Sequence, residues 1–97
     1  MAVYSVSDID VHDWDTYDEY MRQVSPIIKK FGGRYLVRGG EIKSTAGDWS
    51  FSRIVILEFP SQEDMDKFRN SSEYAPVAEL RHKAAKTRSF VVEGYDG

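Results

Sequence analysis

The sequence predicts one α+β domain of order βαββαβ, a four-stranded antiparallel sheet with its helices on one face. Three observations predict it. Four short stretches are rich in Val, Ile, Tyr and Phe at strand-like spacing. Two stretches between them carry apolar residues at three- and four-residue steps, the spacing of an amphipathic helix. Glycine, proline and short polar clusters separate the stretches, and no repeat or linker divides the 97 residues, a length that supports one core.

Residues 2–11 hold Val3, Tyr4, Val6, Ile9 and Val11 among small polar residues and read as the first strand. Asp13 can cap a helix, because a short carboxylate accepts from amides that the first turn leaves without partners. Trp14, Tyr17, Tyr20, Met21, Val24, Ile27, Ile28 and Phe31 then form one apolar stripe. Pro26 falls inside it and is expected to kink the helix or remove a hydrogen bond. Gly32-Gly33 stops the helix. Arg34 to Arg38 is a short second strand, broken by Gly39-Gly40, and residues 41–52 form a connection. Arg53 to Phe59 is the third strand, ended by Pro60. Ser61 can cap the second helical segment, with Asp64 three residues on as box partner. Asn70-Ser71-Ser72 interrupts that segment, and helix resumes at Ser72 or Glu73, a start that Pro76 is expected to delay. Thr87 to Tyr95 is the last strand. This element order is the ferredoxin-like pattern.

Two helical segments cover one face of such a sheet. The third strand nevertheless reads Ile54-Val55-Ile56-Leu57, apolar toward both faces, since successive side chains alternate. Leaving the second face wet forfeits about 1.5–3 kcal/mol per large side chain. A second copy of the same sheet is the expected cover, and two-fold dimers are the commonest oligomers. A homodimer is therefore predicted.

Hydrophobic residues at 41% and charged residues at 30% exclude a disordered chain, and no apolar run reaches the ~20 residues of a membrane span. The N-terminus carries no basic region followed by an apolar stretch, so a cytoplasmic location is expected. The net charge of −3 argues against general nucleic-acid binding. The basic run from Arg81 to Arg88 reads as a solvated face near a helix C-terminus. No cysteine is present, which removes disulfides, thiolate metal sites and a cysteine nucleophile. Asp8, Asp10 and His12 alternate along one strand face, a weak metal pattern, and neither a metal nor another cofactor is expected. Asn70-Ser71-Ser72 matches a glycosylation acceptor and is read as chance.

Several short motifs occur together. They are Arg38-Gly39-Gly40-Glu41, Gly47-Asp48-Trp49, Glu58-Phe59-Pro60-Ser61, Ser72-Glu73-Tyr74, Arg81 with Ala84-Ala85, and Val92-Glu93-Gly94. In this order and spacing the chain resembles the bacterial family called domain of unknown function 1330. The resemblance implies the dimeric α/β-barrel superfamily, in which two ferredoxin-like sheets pack together. Relatives there include small monooxygenases of the antibiotic-biosynthesis type, chlorite dismutase and muconolactone isomerase. The family itself has no assigned reaction.

Five residues are candidates for a small-ligand pocket: Arg38, Trp49, Glu58, Tyr74 and Arg81. Arg38 can grip a carboxylate at two points, and Gly39-Gly40 would let backbone amides approach it; the alternative is a plain strand-ending turn. Trp49 can close a pocket with an apolar ring and one donor, or simply lid the core edge. Glu58 on a central apolar strand must pair or shift its pKa upward. It reads either as a general base or as the ion-pair partner of Arg38, Arg53 or Arg81. Tyr74 and Arg81 lie seven apart and share a face of a continuous helix. His82, between two cations, reads as exposed. Two functions fit this set. One is a cofactor-independent enzyme, oxygenase or isomerase in type, acting on a small organic acid or aromatic. The other is a non-catalytic small-ligand-binding or stress-associated dimer.

Overall fold

The computed structural model describes residues 1–96 and has the predicted order. It runs β1 (Val3–Val11), α1 (Trp14–Lys30), β2 (Arg34–Arg38), β3 (Ile54–Phe59), α2 (Gln62–Arg69), α3 (Tyr74–Ala84) and β4 (Ala85–Glu93). The four strands form one sheet in the order β2-β3-β1-β4, every neighbouring pair antiparallel.

The caps behave as the sequence predicts. The Asp13 carboxylate accepts from the Thr16 amide at 3.2 Å, and Ser61 Oγ accepts from the Asp64 amide at 3.1 Å. Between α2 and α3, Ser71 Oγ accepts from the Tyr74 amide at 3.1 Å, while Glu73, the residue before α3, makes no side-chain cap bond. Helix α3 starts at Tyr74, ahead of Pro76, so the proline does not delay it. In the first turn its missing N–H is one that has no intrahelical partner in any case. Pro26 likewise leaves α1 unbroken, on an exposed side. At the other end of α1, Gly33 packs under Phe59: a Cβ there would lie 2.6 Å from the ring.

Register assigns the faces. Val3, Ser5, Ser7, Ile9 and Val11 of β1 point toward the helices, as do Val55, Leu57 and Phe59 of β3. They meet Tyr17, Tyr20, Val24 and Ile28 of α1, Met65 and Phe68 of α2, and Val77 and Ala84 of α3 in one core. Phe68 is a hub, with ring centroids 4.4 Å from Tyr74, 5.4 Å from Phe59 and 6.3 Å from Phe31. The opposite face carries Val6, Ile54, Ile56, Phe90 and Val92. No helix covers it, and Phe90 is 59% exposed.

Strand β2 is irregular. Arg34 pairs with Glu58 and Tyr35 with Leu57, but Val37 then pairs with Ile56 and Arg38 with Val55. Leu36 is the extra residue of a β-bulge, which reverses the side-chain parity beyond it. In a regular strand Arg34 and Arg38 would share a face. Here Arg34 points to the uncovered face and Arg38 toward the helices.

Candidate functional site

A cavity of about 590 Å³ lies between the sheet and the three helices. Its existence follows from residue size. Its floor includes Ser5 and Ser7 of β1, small side chains where a filled core would hold valine or isoleucine, and the exposed Ser89 of the edge strand β4. Ser7 and Ser89 satisfy each other across β1 and β4 at 2.9 Å. The apolar wall is Ile28, Leu57, Phe59, Met65 and Phe68, and the polar wall is tyrosine and arginine.

Four tyrosines, Tyr17, Tyr20, Tyr35 and Tyr74, line that polar wall. The Tyr20 and Tyr74 hydroxyls stand 3.5 Å apart. Burial pushes the Tyr20 phenol well above its ordinary range; Tyr74 adds to this, and Arg81 works against it. Burial also raises Tyr35, which Ser25 and Arg38 partly offset. Both phenols therefore stay protonated at neutral pH and act as hydrogen-bond donors rather than bases.

Two arginines flank this group. Arg38 stacks on the Tyr35 ring at 4.7 Å, and Arg81 lies over the Tyr20 ring at 5.9 Å. Arg81 Nε is buried and has no hydrogen-bond partner among the described residues. Among those residues, no carboxylate lies within 4.0 Å of Arg38, Arg81 or Arg69, all three of which line the cavity. Arg34 and Arg88, by contrast, point to the uncovered face and are paired, with Glu58 and Asp8, both at 2.7 Å. Ion pairing thus sorts the arginines by face.

The five candidate residues divide accordingly. Arg38, Tyr74 and Arg81 line the cavity, and Tyr74 and Arg81 share the inner side of α3. Glu58 stands on the opposite face, where it accepts from Arg34 Nε at 2.7 Å and from the Tyr4 hydroxyl at 2.9 Å. Arg34 first and Tyr4 second hold its pKa below the usual carboxylate range. Its partner is thus none of the three arginines expected from sequence. Trp49 is 65% exposed in the connection after β2, stacked on Phe51 at 5.4 Å, and does not line the cavity.

Gly39 has a structural task. Its φ is +74°, its amide donates to the Ile54 carbonyl at 2.8 Å, and a Cβ would lie 2.0 Å from Arg53 Nη1. The amide is committed to the sheet and does not face a ligand. The residue makes room for Arg53, whose guanidinium lies 5.6 Å from the Trp14 ring and 5.5 Å from the Tyr17 ring. Asp8 ties the connection down at its far end, accepting from the Ser52 and Arg53 amides at 2.9 and 3.3 Å. Asp8, Asp10 and His12 form no metal cluster, and none exists among the described residues.

The sequence alone does not single out the serine floor, Tyr17, Tyr20 and Tyr35 as cavity residues, or the pair Glu79–His82 at the rim (Nδ1 to Oε1, 3.5 Å). Serine parity along β1 is the one signal visible there: Ser5 and Ser7 alternate with Val6 on a strand that crosses the core.

Comparison with known proteins agrees with the fold. The family model for the domain of unknown function 1330 matches residues 2–95, and the chain belongs to that family. A crystal structure of a protein of unknown function from Rhodopseudomonas palustris superposes with a TM-score of 0.78 at 15% identity, covering 99% of this chain and 84% of that one. SnoaB, a cofactor-independent oxygenase from Streptomyces nogalater, superposes with a TM-score of 0.68 at 10% identity, covering 99% and 95%. At these identities the likeness shows the fold. No curated protein matches the sequence. No helix among the described residues is long and apolar enough to cross a membrane.

Proposed function

Since membership of this family assigns no reaction, we propose a function from the cavity: each protomer binds a small organic acid with an apolar or aromatic body. The observation that carries this is the pair of arginines, Arg38 and Arg81, facing one tyrosine-lined cavity without a carboxylate partner. Arg38 is exposed and Arg81 half-buried, with Arg81 Nε itself buried and unpaired, a costly arrangement for a donor. An anionic head would meet the Arg81 guanidinium together with the Tyr20 and Tyr74 hydroxyls. The apolar body would lie against Phe59, Met65 and Phe68. A cavity of 590 Å³ is of the size that holds small ligands.

The same arrangement suits a cofactor-independent enzyme of oxygenase or isomerase type. Donors fixed around a bound acid or phenol stabilise the anion formed when it loses a proton. Glu79 and His82 at the rim are the groups available to take that proton. The likeness to SnoaB is in keeping with this chemistry, although fold alone does not assign it. One observation favours the non-catalytic alternative: the buried part of the cavity offers donors and no base. The uncovered apolar face, with Val6, Ile54, Ile56, Phe90 and Val92, supports a homodimer packed sheet to sheet.

The test is a thermal-shift panel of aromatic and alicyclic carboxylates on wild type and on Arg81→Gln. A ligand that binds only the native state raises Tm by mass action. Protection of wild type that is lost in Arg81→Gln supports the pocket, and incubation of that ligand with air, followed by product analysis, separates enzyme from binder. Equal protection of both proteins removes Arg81 from the site and the proposal with it.

A further inference from the structure

We infer that the ligand is a dianion, with one anionic group held at Arg81 and the second at Arg38. This deepens the anion-pocket reading above and rests on it. The charges lining the cavity are Arg38, Arg69 and Arg81 against Glu79, and Glu79 already faces His82. Three cations against one carboxylate leave the cavity lining with an excess of two positive charges. Arg38 and Arg69 are exposed and Arg81 is half-buried, so a monoanion at Arg81 would leave the others to solvent, whereas a dianion balances the excess.

Arg38 is the second anchor, rather than Arg69, because it is held. It stacks on Tyr35 at 4.7 Å, and Tyr35 belongs to the same electrostatic cluster as Tyr20 and Tyr74, beside Arg81. A pre-positioned guanidinium loses less freedom on gripping a carboxylate than a free one. Arg69 ends α2, and no ring or acid holds it among the described residues. The bulge at Leu36 is what brings Arg38 to this face at all. The two anchors also stand in different layers, Arg38 on the edge strand and Arg81 on α3. The ligand therefore spans from sheet to helix, with its apolar body between the two charged groups. An aromatic or alicyclic dicarboxylate has this form.

Isothermal titration of the full chain tests it, with 2-naphthoate, 6-carbamoyl-2-naphthoate and the 1,4- and 2,6-naphthalenedicarboxylates as probes. At low ionic strength at least one dicarboxylate should bind roughly three- to tenfold more tightly than both monoanions, the range for a partly exposed charge-assisted pair. Arg38→Gln should abolish that preference and leave the monoanions within about twofold. Arg69→Gln should leave the preference intact. Arg81→Gln should weaken all four probes, and Arg81→Lys, which keeps the charge, should recover part of the loss if the glutamine variant folds poorly. Equal binding of monoanions and dianions, with the Arg81 effect intact, overturns the dianion and leaves the anion pocket standing. A preference that survives Arg38→Gln, or that vanishes in Arg69→Gln, overturns the assignment of the second anchor. Failure of every probe to bind overturns both readings.

Discussion

Adjacent glycines in the motif Arg38-Gly39-Gly40 should respond unequally to alanine, and the difference can be worked from the structure. At Gly39 the φ of +74° is a conformation that costs an L-residue about 1–2 kcal/mol. A Cβ there would also lie 2.0 Å from Arg53 Nη1. That guanidinium ends a flexible side chain and can retreat, at the cost of its stacking on Trp14 and Tyr17, worth about 0.5–2 kcal/mol. Gly39→Ala should therefore destabilise by about 1.5–4 kcal/mol, the sum of the two. Gly40 has no positive φ, and a Cβ at that position would meet no atom within 4 Å, so Gly40→Ala should stay within about 0.5 kcal/mol of wild type. The assay is urea denaturation of both variants in wild-type and Arg53→Ala backgrounds. In the Arg53→Ala background only the backbone part of the Gly39 penalty should remain, giving a coupling of about 0.5–2 kcal/mol. Equal effects at the two glycines would refute the reasoning. So would a Gly39 penalty indifferent to Arg53.

Further expectations concern the floor, the hub, the latch and the open face. The double variant Ser7→Val/Ser89→Val removes both partners of one hydrogen bond and adds bulk to the cavity floor. It should hold or raise stability by up to about 1 kcal/mol in denaturant melts while abolishing carboxylate binding in the thermal-shift panel; retained binding would place the ligand elsewhere. Phe68→Ala should cost about 3–5 kcal/mol, because the side chain is buried among three rings. Tyr74→Phe, losing only a long hydroxyl contact, should cost less than about 1 kcal/mol in the same melts. The Arg88 guanidinium first, then the Ser52 and Arg53 amides, hold the Asp8 pKa below the ordinary carboxylate range. A depressed carboxylate adds stability that is complete at neutral pH and lost as pH falls through the folded-state value. Asp8→Asn should therefore narrow the stability difference between pH 7 and pH 3 measured by urea midpoint, and an unchanged difference would assign the latch no electrostatic role. Phe90→Lys should turn a sedimenting dimer into a folded monomer, and an unaltered sedimentation coefficient would remove the uncovered face from any interface.

Element order is legible in the sequence because each boundary has its own chemistry there. Asp13 and Ser61 announce caps, Gly32-Gly33 and Pro60 announce stops, the alternation of Val6, Ile9 and Val11 with polar neighbours marks the first strand, and the apolar run Ile54 to Leu57 marks the third. The faces of β2 are not legible. A bulge has no residue signature in Arg34-Tyr35-Leu36-Val37-Arg38, yet it decides which arginine meets the cavity and which meets Glu58. Glu58 needs a partner, as its place on an apolar strand implies, but strand register selects Arg34, and register lies in pairing between distant segments. Trp49 reads as a pocket lid because tryptophan in a connection suggests one; its stacking on Phe51 holds it outside instead. The serine floor is readable only as an absence of bulk, which composition does not reveal until the strand is known to cross the core.

The division of charge between the two faces bears on whether the cavity catalyses. On the uncovered face Arg34 has Glu58 and Arg88 has Asp8, so each of these outward arginines is matched by an acid and the face suits burial by a partner. On the helix face the arginines are left without acids and the phenols are kept protonated by burial. On the proposed reading such a set would hold an anion and stabilise it as it forms, which is what a carbanion- or phenolate-forming reaction requires. It does not by itself remove a proton. The acid–base step has to come from the rim, from Glu79 and His82, or from a ligand acidic enough to arrive already ionised. In the second case the protein would need no base at all, and the tyrosines and arginines proposed to bind the ligand would also be the groups that govern its reactivity.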